Sequence, residues 1–137
     1  CFGFSLLFNI HGPGGILCTI GGVACWVVFW LSQRLGFSEI LSYFWASLFA
    51  SLYSEIMARI RKYPAISYLL VSAFPLIPGA GVYYTMNFAV RGEMDMFAYR
   101  GMNTAAIAGI MAVGILLGST VFRMYAQWKS RRMRKRT

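Results

Sequence analysis

YPAISYLLVSAFPLIPGAGVYYTMNFAV, residues 63–90, runs without a charged side chain for twenty-eight positions between Lys62 and Arg91. As one straight helix it would be about 42 Å long, well over the ~30 Å hydrocarbon core of a bilayer. Its middle reads Pro75-Leu76-Ile77-Pro78-Gly79-Ala80-Gly81. Each proline removes a backbone donor and crowds the carbonyl four residues back, which frees the carbonyls of Val71 and Phe74. Phe74 and Ile77, each preceding a proline, are pushed away from helical angles. The two glycines are then expected to let the chain turn sharply. Pro75 lies thirteen positions after Lys62 and Pro78 thirteen before Arg91. The expectation is a membrane helix broken at its midpoint.

Working outward, the charges divide the rest of the sequence into similar runs. Residues 101–122 are free of charge for twenty-two positions, and so are residues 12–33. Each has the ~20 residues that a spanning helix needs. Residues 40–60 form a third run, interrupted by Glu55 and Arg59 and closed by Arg61 and Lys62. Residues 1–10 carry no charge and end at the polar turn Asn9-Ile10-His11-Gly12-Pro13. That segment reads as the last part of a helix whose beginning is absent. The expected fold is an all-α integral membrane protein: a bundle of four full transmembrane helices plus a truncated N-terminal one. The approximate spans are 1–10, 13–33, 40–60, 64–90 and 101–123, together a bundle over 1–128, followed by a basic tail over 129–137.

Composition agrees. Apolar residues make up 58% of the chain and charged residues 12%, with a mean hydropathy of +0.59. A soluble domain is about a quarter charged, so most of this surface must face lipid. The net charge of +9 does not mark a nucleic-acid binder, because six of the thirteen basic residues lie between Lys129 and Arg136. Charge gathered in a tail fixes topology and meets anionic headgroups. Alternating spans place the basic loop at 59–62 and the C-terminus on one side, which is then cytoplasmic. Cys1, Cys18 and Cys25 offer no ligand spacing, and His11 is the single histidine. No cofactor, metal or enzymatic constellation is expected, and the cysteines read as small apolar packing residues.

Helix packing in lipid relies on small residues. Ser42, Ala46, Ala50, Ser54 and Ala58 recur every four positions, and Gly101, Ala105, Gly109, Gly114 and Gly118 punctuate the last run. Both stripes read as packing seams.

Two places carry candidate chemistry. Irregular backbone at mid-membrane is tolerated only where it is buried in protein or lines a watery cavity. Transporters use such discontinuous helices as substrate sites, the second half-helix offering N–H groups to an anion. After Gly81 come Tyr83, Tyr84, Thr85 and Asn87, a polar lining. A plain proline kink that binds nothing is the competing reading. The second place is Glu55, an intramembrane carboxylate. It reads either as a proton carrier or as an i,i+4 ion pair with Arg59.

Three stretches carry a resemblance: Gly3-Phe4-Ser5-Leu6-Leu7-Phe8-Asn9, Ser54-Glu55-Ile56-Met57-Ala58-Arg59, and Pro75-Leu76-Ile77-Pro78-Gly79-Ala80-Gly81-Val82-Tyr83-Tyr84. Together they resemble the threonine/serine exporter family, and more narrowly its small-subunit-type membrane component. The likeness runs over residues 3–125. It implies a secondary exporter in the bacterial cytoplasmic membrane, driven by proton motive force and moving small hydroxy amino acids such as threonine and serine. Some two-part relatives are associated with dicarboxylates such as succinate, and such relatives work with a larger membrane subunit. The implied ligand is a small carboxylate-bearing metabolite, held or shaped by Pro75, Pro78, Gly79, Gly81, Tyr84 and Thr85. A non-transporting membrane scaffold is the alternative, and self-association is left open.

Overall fold

The computed structural model describes residue 3, residues 13–62 and residues 64–134. The expected helix at 1–10, the His11 turn and the last three residues of the tail lie outside the described residues. Within them the chain is all-helical, with no strand. Helix α1 spans Pro13–Arg34 and α2 spans Glu39–Arg61. Helix α3 covers Ala65–Ala73 and runs into a 3-10 turn at Phe74–Leu76, after which α4 covers Gly79–Val90. Helix α5, Met94–Arg134, has 41 residues.

The connections follow from local chemistry. Gly36 (φ +85°) and Gly92 (φ +74°) terminate α1 and α4 in the left-handed conformation. At the first, the Phe37 N–H bonds the Ser32 carbonyl and the Gly36 N–H that of Gln33. At the second, Glu93 N–H bonds Phe88 and Gly92 N–H bonds Ala89. Both pairs satisfy the orphan carbonyls of a helix end in the Schellman pattern, where glycine carries no Cβ penalty. Ser38 caps α2, accepting from the Leu41 N–H at 3.4 Å. The stretch 91–100, which lies between the expected spans 64–90 and 101–123, is non-helical only through Glu93. With Asp95 in its first turn, where a carboxylate favours the positive helix end, α5 starts at Met94.

The helices bury small residues and expose large ones, the reverse of a water-soluble bundle. On α1 the buried residues are Gly14, Gly15, Cys18, Gly21, Gly22, Cys25, Phe29 and Ser32, while Ile16, Ile20, Val23, Val27 and Leu31 face outward. On α2 it is Ser42, Ala46, Ser47, Ala50, Ser51, Ser54 and Glu55. The seam expected every four positions from Ser42 to Ala58 is thus a buried face as far as Ser54, with Ala58 half-buried. Helix α2 is the hub, packing on α1, α3 and α5. The main core joins Cys25 and Phe29 of α1, Ala46 and Ala50 of α2, Leu76 of the 3-10 turn, and Ile107 and Met111 of α5. A second cluster holds Cys18, Tyr68 and Val71, with Met57 against it. Cys18 and Cys25 are free thiols inside these clusters.

Among the described residues, two helices are long and apolar enough to cross a membrane, over Gly14–Arg34 and Met94–Trp128, and a third span results if the bent pair α3–α4 counts as one. Helix α2 has the length, with 23 residues, but its buried serines and Glu55 keep it polar and outside that count.

Candidate functional site

The Pro-Gly segment is held at the centre of the bundle by one side chain. Leu76, 1% exposed, plugs the core between α1, α2 and α5. Pro75 enters the 3-10 turn at its start, where a missing N–H costs nothing, and Ile77 leaves it in an extended conformation (ψ 124°). Ala65–Leu76 and Gly79–Val90 are bent by 56° across this break.

The two glycines act differently from the expectation. Neither has a positive φ, and both lie in the first turn of α4, with Pro78 as the N-cap. The turn is made by Ile77 and Pro78, because proline fixes the angles on either side of itself. What the glycines supply is space. A Cβ on Gly81 would fall 2.6 Å from Thr104 Oγ1 of α5, so its absence lets α4 lie against α5. A Cβ on Gly79 would meet nothing within 4 Å. The Gly79 N–H is turned back to the Ile77 carbonyl at 2.7 Å and the Val82 N–H to that of Pro78 at 3.2 Å. Ala80 and Gly81 present the first-turn N–H groups that a helix cannot satisfy internally.

The remaining expected residues divide between two faces. The Thr85 hydroxyl donates to the Gly81 carbonyl at 2.7 Å, and its methyl faces Gly101 of α5. It serves the α4–α5 contact. Tyr84 is half-exposed, its ring edge-on to that of Tyr83 at 5.6 Å, on the outer side of α4. No residue of α4 is buried. Open depressions of about 410 Å³ at Met124, Tyr125, Gln127 and Trp128, and of about 440 Å³ at Gly92–Met96, lie away from the break.

Glu55 is 7% exposed, and its partner is Arg123, whose Nε donates to the Glu55 Oε1 at 3.0 Å. The i,i+4 partner Arg59 instead places its guanidinium over the Phe122 ring at 5.0 Å. Glu55 lies on the α2 face that packs on α5, so the cation that reaches its carboxylate comes from the neighbouring helix. Arg123 and Thr104 are the site residues that the sequence did not single out. A signal for Arg123 existed: the alternating spans put the ends of the 40–60 and 101–122 runs at the same membrane face. Among the described residues, no three His, Cys, Asp or Glu side chains gather as metal ligands.

A hub helix lined with serines, large apolar side chains turned outward and two helices long and apolar enough to span a bilayer define a multi-pass, all-helical membrane protein. The sequence model of the family described as "Threonine/Serine exporter, ThrE" matches residues 1–121. The chain belongs to the threonine/serine exporter family, a membrane transport component of that type. Neither a curated protein nor a solved structure gave a match.

Proposed function

We propose that the chain is a component of a secondary exporter that moves threonine or serine out of a bacterial cell, driven by proton motive force and working with a larger membrane subunit. In this reading four full spans cross the cytoplasmic membrane, α3 and α4 forming one broken span, and the C-terminus is cytoplasmic. The observation that carries it, beside the family, is the interrupted helix at the bundle's centre: Leu76 fixes it to the core, and the first turn of α4 offers its free N–H groups beside it. Such an end suits the carboxylate of a small metabolite. Pro75, Pro78, Gly79 and Gly81 shape the site, Tyr84 and Thr85 flank it, and Glu55 is the candidate proton carrier.

The test is efflux of labelled threonine, serine and succinate from cells lacking their own exporters, with the full-length chain expressed alone and with the larger subunit. Gly79→Leu is the informative variant, because its side chain enters open space and leaves the helix contacts alone. The expected result is normal membrane insertion with export lost. Normal export by Gly79→Leu removes the site. Efflux of succinate alone reassigns the substrate to a dicarboxylate, and no efflux from any combination favours the scaffold reading.

A further inference from the structure

The contact between α2 and α5 is built one turn at a time. Ser47 fills the space above Gly114, Ser51 the space above Gly118, and the Ser51 hydroxyl crosses to the Ile115 carbonyl at 2.9 Å. One turn further, the apposition changes from small residues to charge: Glu55 against Arg123. The two side chains differ sharply in exposure, 9% for Glu55 and 67% for Arg123. A carboxylate that deep is expensive in a membrane protein, and an apolar pair of similar volume would dock two helices at least as well. The seam already holds the helices together below it. Docking therefore does not account for the charges.

We propose that Arg123 is a positioning residue of the export cycle: it supplies the counter-charge for Glu55 between α2 and α5 and releases it when the carboxylate takes up a proton. This rests on the reading of the chain as a proton-driven exporter. The asymmetry of exposure sets which partner moves. Arg123, at the level where the last apolar run ends, can exchange the carboxylate for water or a headgroup, while Glu55 stays enclosed. The clasp therefore opens at the end of α5. Among the described residues, Arg123 is the cation in ion-pair contact with Glu55. Arg59, the nearest cation on α2, is engaged over Phe122 of α5. Toward α1 and α3, Met57 packs against Cys18 and Tyr68, a thiol and a phenol and not a charged group.

The experiment compares Arg123→Lys, Arg123→Gln, Glu55→Gln and the double Glu55→Gln/Arg123→Gln in the full-length protein with the subunit it needs. It measures insertion, thermal stability and the pH profile of threonine and serine efflux. Arg123→Lys is expected to keep export and its pH profile. Arg123→Gln is expected to lose stability and export, since it leaves a buried charge without its partner. The double variant is expected to recover stability but not export. A double variant that exports with the wild-type pH profile overturns the proposal while leaving the transporter reading intact. A double variant that fails to insert overturns it too, because the pair is then a folding element. A wild-type protein that moves no substrate overturns the transporter reading itself, and this inference with it.

Discussion

Ser72 is fully buried on α3, its Oγ resting 2.5 Å from where a Cβ on Gly21 would be, and it makes no hydrogen bond among the described residues. The other buried serines each have an acceptor: Ser32 on Val28, Ser42 on Ser38, Ser47 on Phe44, Ser51 on Ile115 and Ser54 on Ser51. An unpaired buried hydroxyl carries its desolvation cost without return, so Ser72→Ala should leave stability unchanged or raise it by up to ~1 kcal/mol. Thermal unfolding of the purified protein decides this, and a clear loss of stability would show that the hydroxyl has a partner in the membrane. At this scale the sequence is a poor guide. Nothing in the order of residues separates Ser72 from Ser54, and the Glu55 partner lies 68 positions away, outside any spacing rule.

Seams between helices were more legible, because small residues recur at helical spacing and lipid gives large apolar side chains no reason to turn inward. What the spacing leaves open is which glycine meets which helix. In the last run, Gly114 and Gly118 meet α2, Gly101 meets Thr85 of α4, and a Cβ on Gly109 would meet nothing. A Cβ on Gly118 would sit 2.9 Å from the Ser51 Cβ and 3.2 Å from the Leu48 carbonyl oxygen, and backbone cannot step aside. Gly118→Leu should therefore push α5 off α2 and cost ~1–3 kcal/mol. Gly109→Ala should be stabilising by up to ~1 kcal/mol, since it gains helix propensity and loses no contact. Unfolding of the two variants in the same detergent is the measurement, and equal effects would contradict the seam. The break belongs to this scale as well. Its location was readable from two prolines in an uncharged run, but the glycines' part was not: conformational freedom and close approach look alike in sequence, and only the position of Thr104 tells them apart.

For the molecule as a whole, composition pointed to the membrane class, and the placement of charge sets the expectation of which loops share a side. The number of crossings is harder to read, because the hub helix hides its polarity inside. Helix α2 turns Leu41, Trp45, Ile56 and Ile60 outward and serines inward, so an average over its residues understates how apolar its lipid-facing side is. The pair α3–α4 poses the complementary question: a 56° bend suits a broken span or a loop that returns to the side it left. Topology separates these outcomes. If α1, α2, α3–α4 and α5 each cross, Ser38 and Glu93 lie outside while Lys62 and Thr137 lie inside. Single cysteines at those four positions, in a chain whose own Cys1, Cys18 and Cys25 are replaced, should react with an impermeant thiol reagent in intact cells at 38 and 93 only. Reaction at neither or both of 62 and 93 would make α3–α4 re-entrant. The first turn of α4 would then open toward the side from which the loop enters, and a carboxylate bound there would face one compartment throughout. A broken span instead places that turn between the two compartments, the arrangement that alternating access requires.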